Sequence, residues 1–141
     1  MDKTKITVEF GIGWDGDIKS DIQDNEVAQM ITDKLELEPT KIILHKIPLK
    51  KYGKKEFTWL IDTGYSECWE LQKEIDKMLN ILIPKKEQLL ELKEQLVDAT
   101  FRLNCIIDVG KDEEPALSFD ERTIHFLDSL DAFIDIDMSI F

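Results

Sequence analysis

Cysteine, histidine, glycine and positive charge are all in short supply in this 141-residue chain. Each shortage removes a class of function. Two cysteines, Cys68 and Cys105, leave room for one bridge at most and cannot build a secreted disulfide framework. Neither of the two histidines, His45 and His125, is close in sequence to a cysteine, and each reads as a packed or surface histidine, so nucleophilic catalysis has little to stand on. Gly11-Ile12-Gly13 with Gly16 lacks the lysine and the following helix pattern of a phosphate-cradling loop. Eighteen Lys and Arg against thirty Asp and Glu give a formal net charge of -12, the wrong sign for a general nucleic-acid-coating protein. No apolar run approaches the length needed to span a bilayer. Met1 to Lys5 leads directly into a strand pattern rather than a signal-peptide apolar core, so the expected compartment is the cytoplasm.

What is present is a foldable chain. Hydrophobic residues make up 43%, with three Trp and seven Phe, which argues against disorder despite 34% charged residues. The length suits one domain over 1–141 with a core that needs no staples.

Ile6, Val8, Phe10, Ile12 and Trp14 alternate with polar residues and glycine, giving a first strand with one apolar face. Asp24 or Asn25 can cap a helix with Val27, Met30, Ile31 and Leu35 on one stripe, stopped by Pro39. Strands follow at 42–47 and 56–62, separated by a Lys-rich loop. A helix is expected to start at Tyr65 to Glu67 and to bury Leu71, Ile75, Met78, Leu79 and Leu82. Pro84 is tolerated best in a first turn, so it opens the next helix, which buries Leu89, Leu92 and Leu96. Phe101 to Val109 alternates as a strand. After an Asp112-Glu113-Glu114-Pro115 loop comes a helix with an acidic, cappable start at Ser118, Asp120 and Glu121, feeding a half-buried strand from Phe133 to Ile140.

This order implies an α+β fold: a ferredoxin-like, βαβ-based sandwich with a largely antiparallel sheet and its helices on one face. Residues 4–47 and 100–141 share one plan of strand, loop, helix and strand, which reads as an internal βαβ duplication. Trp59 belongs to the core, whereas Trp14 and Trp69, near element ends, are expected to be partly exposed.

Several features recur together in order: Leu35-Glu36-Leu37-Glu38-Pro39-Thr40, then Phe57-Thr58-Trp59-Leu60, then the Leu-rich helix from Glu67 to Leu82 and Pro84-Lys85-Lys86. Leu103-Asn104-Cys105-Ile106-Ile107 and Ile134-Asp135-Ile136-Asp137 complete the series. In these features the chain resembles the bacterial family known as domain of unknown function 4279. The resemblance implies an architecture and brings no reaction, cofactor or catalytic residue. Small domains of this sort also occur among candidate immunity proteins that neutralise toxins.

No metal or cofactor site is expected. Asp15-Gly16-Asp17 with Asp21 lacks the EF-hand ligand pattern, and Asp112 to Glu114 has no histidine nearby. Asp135 and Asp137 would lie near Asp108 if their strands pair, but a solvated sheet face is the simpler reading. Five of the bases, Lys46, Lys50, Lys51, Lys54 and Lys55, cluster in one hairpin with Tyr52, which reads first as a protected sheet edge. The expectation is therefore a non-catalytic acidic protein-binding module, an immunity-type inhibitor of a basic toxin or nuclease. Its candidate contacts are Asp15, Asp17, Asp112, Glu113, Glu114, Asp135 and Asp137. The alternative is a small-ligand or regulatory sensor domain using the open face of the sheet.

Overall fold

The computed structural model describes residues 3–17, 24–46, 54–96 and 99–140. Strand β1 (Lys5–Asp17) is followed by α1 (Asp24–Leu35), β2 (Lys41–Lys46), β3 (Lys54–Asp62) and a short β4 (Ser66–Glu67). Helices α2 (Leu71–Leu82) and α3 (Lys86–Gln95) come next, then β5 (Thr100–Val109), α4 (Glu121–Ser129) and β6 (Phe133–Ile140). The sheet runs β2-β3-β1-β5-β6, with β4 pairing the start of β1. All pairings are antiparallel except β5 with β6, so the fold is α+β around a mixed, open sheet.

Period-two alternation decides which face is buried. Ile6, Val8, Phe10, Ile12 and Trp14 of β1, Phe57, Trp59 and Ile61 of β3, and Phe101, Leu103, Cys105 and Ile107 of β5 point to one side. There they meet Ile31 and Leu35 of α1, Leu71, Ile75 and Met78 of α2, Leu89 and Leu92 of α3, and Phe126 and Leu127 of α4 in one core. Pro84 stands in a 3-10 turn, Ile83–Lys85, that carries α2 into α3. Asp120 caps α4, accepting hydrogen bonds from Thr123 N at 2.8 Å and Thr123 Oγ1 at 2.7 Å. Those two bonds hold its carboxyl below the ordinary aspartate range.

Four expectations change. Residues 66–67 form β4 instead of a helix start, because pairing with Lys5 and Ile6 satisfies their backbone, and helix begins only at Leu71. Trp14 is 6% exposed and stacks on Phe57 with ring centroids 5.6 Å apart, so its phase in β1 outweighs its place near the strand end. The two βαβ segments do not share one pairing. β3 lies between β1 and β2, whereas β5 and β6 are parallel neighbours. The strand order does not confirm the expected ferredoxin-like plan either. Finally, β6 is exposed along its whole length rather than half-buried, because it lies at the sheet edge with little of the helical layer behind it.

Buried Cys105 has no exposed surface, and burial, followed by the charge of Asp135, pushes its thiol up to about 12. Cys68 is partly exposed, its Sγ 3.3 Å from the Glu70 carbonyl. A thiol reagent under native conditions should therefore label Cys68 first and reach Cys105 only at the rate of local opening. Equal rates for the two would place β5 outside the core.

Candidate functional site

The face of the sheet turned away from the helices is where polar chemistry collects. On β1 the odd positions Lys5, Thr7, Glu9, Gly11 and Gly13 point there, in antiphase to the buried even ones. Register then places their neighbours. Glu9 lies beside Asp62 of β3 and Asn104 of β5, and Asn104 beside Asp135 of β6. One row across four strands thus reads Asp62, Glu9, Asn104, Asp135. In the next rows, Ile106 neighbours Asp137, and Asp108 lies between Lys5 and Ser139.

Burial raises the Glu9 carboxyl above the usual glutamate range, against the lowering charge of Lys41; the like charge of Asp62 opposite it adds a smaller rise and a hydrogen bond with Asn104 lowers it. Tyr65 reports the same field. Loss of water around its hydroxyl and then the charges of Asp108, Glu9 and Asp137 raise its pKa.

Among the described side chains of this face, the acids Glu9, Asp62, Asp108, Asp135 and Asp137 outnumber the bases Lys5, Lys41 and Arg102. Arg102 is already engaged, with Nε 3.1 Å from Asp135 Oδ2 and its guanidinium 5.7 Å from the centroid of the Phe133 ring.

A recess of about 210 Å³ opens on the same face, lined by Glu9, Gly11, Gly13, Thr58, Arg102 and Asn104 among others. Glycine at position 11 is a matter of space: a Cβ there would lie 3.1 Å from the Thr58 Cγ2 methyl.

The structure divides the candidate residues named from sequence. Asp135 and Asp137 lie on this face. Asp112, Glu113 and Glu114 follow β5, with Glu113 bridged to Gly110 and its carbonyl accepting from Thr4 Oγ1. Asp15 and Asp17 are described in their backbone register alone, opposite Glu56 and Lys54 at the far end of β1. With ten strand steps between Lys5 and Asp15, roughly 33 Å separates the two ends, so the seven do not form one patch. Lys50, Lys51 and Tyr52 lie outside the described residues, and of Lys46, Lys54 and Lys55 only the backbone is described.

Glu9, Asp62 and Arg102 were missed as site residues, and Asp108 was placed near Asp135 and Asp137 only on condition that their strands pair, as β5 and β6 do. The signal of the missed residues was available in the polar phase of β1, β3 and β5, but the pairing that gathers them was not. Among the described residues, no group of three or more His, Cys, Asp or Glu gathers closely enough to hold a metal ion. His125 is on the surface of α4, its Nε2 3.3 Å from Glu121 Oε1.

The family model described as Domain of unknown function (DUF4279) matches residues 18–141. The chain belongs to this family. The match takes in β2 to β6 and every helix, and so most of the acidic face, while all of β1 precedes it. No curated protein and no solved structure matches the chain. No helix among the described residues is long and apolar enough to cross a membrane.

Proposed function

We propose that this DUF4279 chain is a non-catalytic binding module whose acidic sheet face, on the side away from the helices, docks onto a basic protein, in the manner of an immunity-type inhibitor. The observation that carries the reading is the carboxylate row itself. Asp62, Glu9 and Asp135 share one row, with Asp108 and Asp137 in the rows beside it, and the helices all pack on the other side. A surface with an excess of one sign steers an oppositely charged partner and sets register, contributing more to association rate and specificity than to raw affinity. Asp112 and Glu114, exposed after β5, would extend the rim. A bacterial cytoplasmic setting, with a toxin or nuclease as the basic partner, is the finer form of the proposal.

The test is association kinetics with a basic protein captured from the source cell, at two ionic strengths, with amide shifts mapped on the labelled chain. Raising salt should slow association about tenfold or more. Replacing Asp108, Asp135 and Asp137 together by Asn should slow it similarly, with little change in dissociation. Salt-independent binding, or an acidic partner, would sink the reading. The recess beside Glu9 favours a second reading, a small-ligand sensor. Shifts confined to Gly11, Gly13 and Asn104 on adding a metabolite extract, with none along β6, would favour it instead.

A further inference from the structure

Strand β6 combines an unpaired edge, an uncovered apolar stripe and a charge pattern of period two. Among the described residues it pairs with β5 alone, leaving one side of an eight-residue strand without ladder partners. Its register puts Ile134, Ile136 and Met138 in the rows of buried Leu103, Cys105 and Ile107, on the helix side of the sheet. They are nevertheless 38%, 43% and 40% exposed, and Ile140 is 78% exposed. On the other side Asp135 and Asp137 alternate with them.

Long apolar edges invite pairing with further strands, and proteins usually blunt them with lysine, proline or a bulge. Within β6 the only blunting charges are carboxylates, Asp137 and Asp135, the latter shared with Arg102 of β5, and these select the partner. A second copy fits poorly. In the two-fold antiparallel registers that keep the sheet faces aligned and pair most of the strand, centring on Ile136 sets Asp135 opposite the copy's Asp137, and centring on Asp137 sets that residue against itself. Either arrangement opposes like charges at cross-strand distance, between chains that each carry a net charge of -12.

We infer that β6 is an acceptor edge for strand addition by an extended segment of a foreign protein in which apolar and basic residues alternate. Its apolar side chains continue the stripe beside Ile134, Ile136 and Met138. Its Lys or Arg side chains fall beside Asp135 and Asp137, and its backbone completes the ladder. The inference takes its charge from the acidic-docking reading and adds the geometry, an extended strand in place of a general basic surface.

The probe is a capped peptide of alternating lysine and valine, about as long as β6, titrated into the isotope-labelled full chain. Two analogues accompany it, one fully N-methylated on the backbone and one with glutamate for lysine. The expected result is saturable binding with the largest amide shifts at residues 133–140, weakened at least about tenfold by N-methylation and abolished by glutamate. Equal binding by the parent and N-methylated peptides would overturn strand addition and leave acidic docking standing. So would failure of the lysine peptide while the captured basic partner still binds in a salt-dependent way. Failure of both would end both readings, as would tight binding of the glutamate peptide. Concentration-dependent self-association through β6, with the free edge lost in the protein alone, would assign the edge to a second copy and overturn the inference.

Discussion

Replacing Trp59 by Ala should cost about 3–5 kcal/mol, the range for deleting a fully buried aromatic side chain. Trp59 has no exposed surface and stands mid-sheet, between Ile42 of β2 and Ile12 of β1. Its ring is also tied to the helical layer. Nε1 donates to Thr32 Oγ1 at 3.1 Å, and that hydroxyl donates to the Ala28 carbonyl at 3.0 Å. A buried indole N–H keeps its place only while it has an acceptor. Thr32→Val, nearly the same shape without the oxygen, should therefore cost about 1–3 kcal/mol by leaving that N–H unpaired. In a Trp59→Phe background the same change should cost much less, because the orphaned donor is gone. Urea midpoints for the two single variants and the double variant measure the difference directly. An additive cycle would mean that the hydrogen bond contributes nothing and that the threonine matters only for packing. Domains of this size have only about 5–15 kcal/mol in total, so Trp59→Ala should remove a large share of the stability, while Trp59→Phe should remove much less.

The parts of this fold that were legible in sequence are those where one period leaves one face buried. Ile6 to Trp14 and Phe101 to Val109 alternate cleanly, and the even and odd sets land on opposite sides as the pattern requires. The stripe Leu71, Ile75, Met78, Leu79 and Leu82 is buried for the same reason at the helical period. Alternation says nothing about what lies behind a strand. β6 alternates as well as β1 does, yet its Ile, Ile and Met are exposed because it sits beyond the helices. β4 is two residues long, too short for any period, and exists only because β1 offers it backbone partners.

The candidate site followed the same division. Asp135 and Asp137 stood out because they interrupt an apolar run near the C-terminus. Glu9 and Asp62 are unremarkable apart and become a site feature only when β1 and β3 place them side by side. Asp112 to Glu114 drew attention as a local cluster, but local density of acid in a loop does not mark a shared surface. The residues that gather here come from β1, β3, β5 and β6, and only the sheet order brings them together.

Glu74 and Lys77 give the second large effect. Glu74 sits on the core side of α2, 2% exposed, with Lys77 Nζ 2.8 Å from its Oε1. Its other carboxylate oxygen, Oε2, is buried without a hydrogen-bond partner among the described residues. Lys77 is 55% exposed and its ammonium also lies 3.5 Å from Ser66 Oγ of β4. Removing only one member of such a pair strands the other charge, which costs about 3–5 kcal/mol when both are buried. Solvent around Lys77 reduces that, so Lys77→Ala should cost about 2 kcal/mol. Glu74→Met, close in volume and free of the orphaned oxygen, should be neutral or stabilising by about 1 kcal/mol, since replacing a desolvated ion pair with apolar packing often gains stability. Once Glu74 is Met, Lys77→Ala should cost no more than the ~0.5 kcal/mol typical of a surface change. Denaturant titrations of the three variants, with unchanged slopes, decide the matter. A Glu74→Met variant destabilised by more than about 2 kcal/mol would mean that the buried carboxylate is held by interactions beyond Lys77. Glu74 would then join the functional groups to be tested for binding, at the opposite side of the sheet from the acidic face.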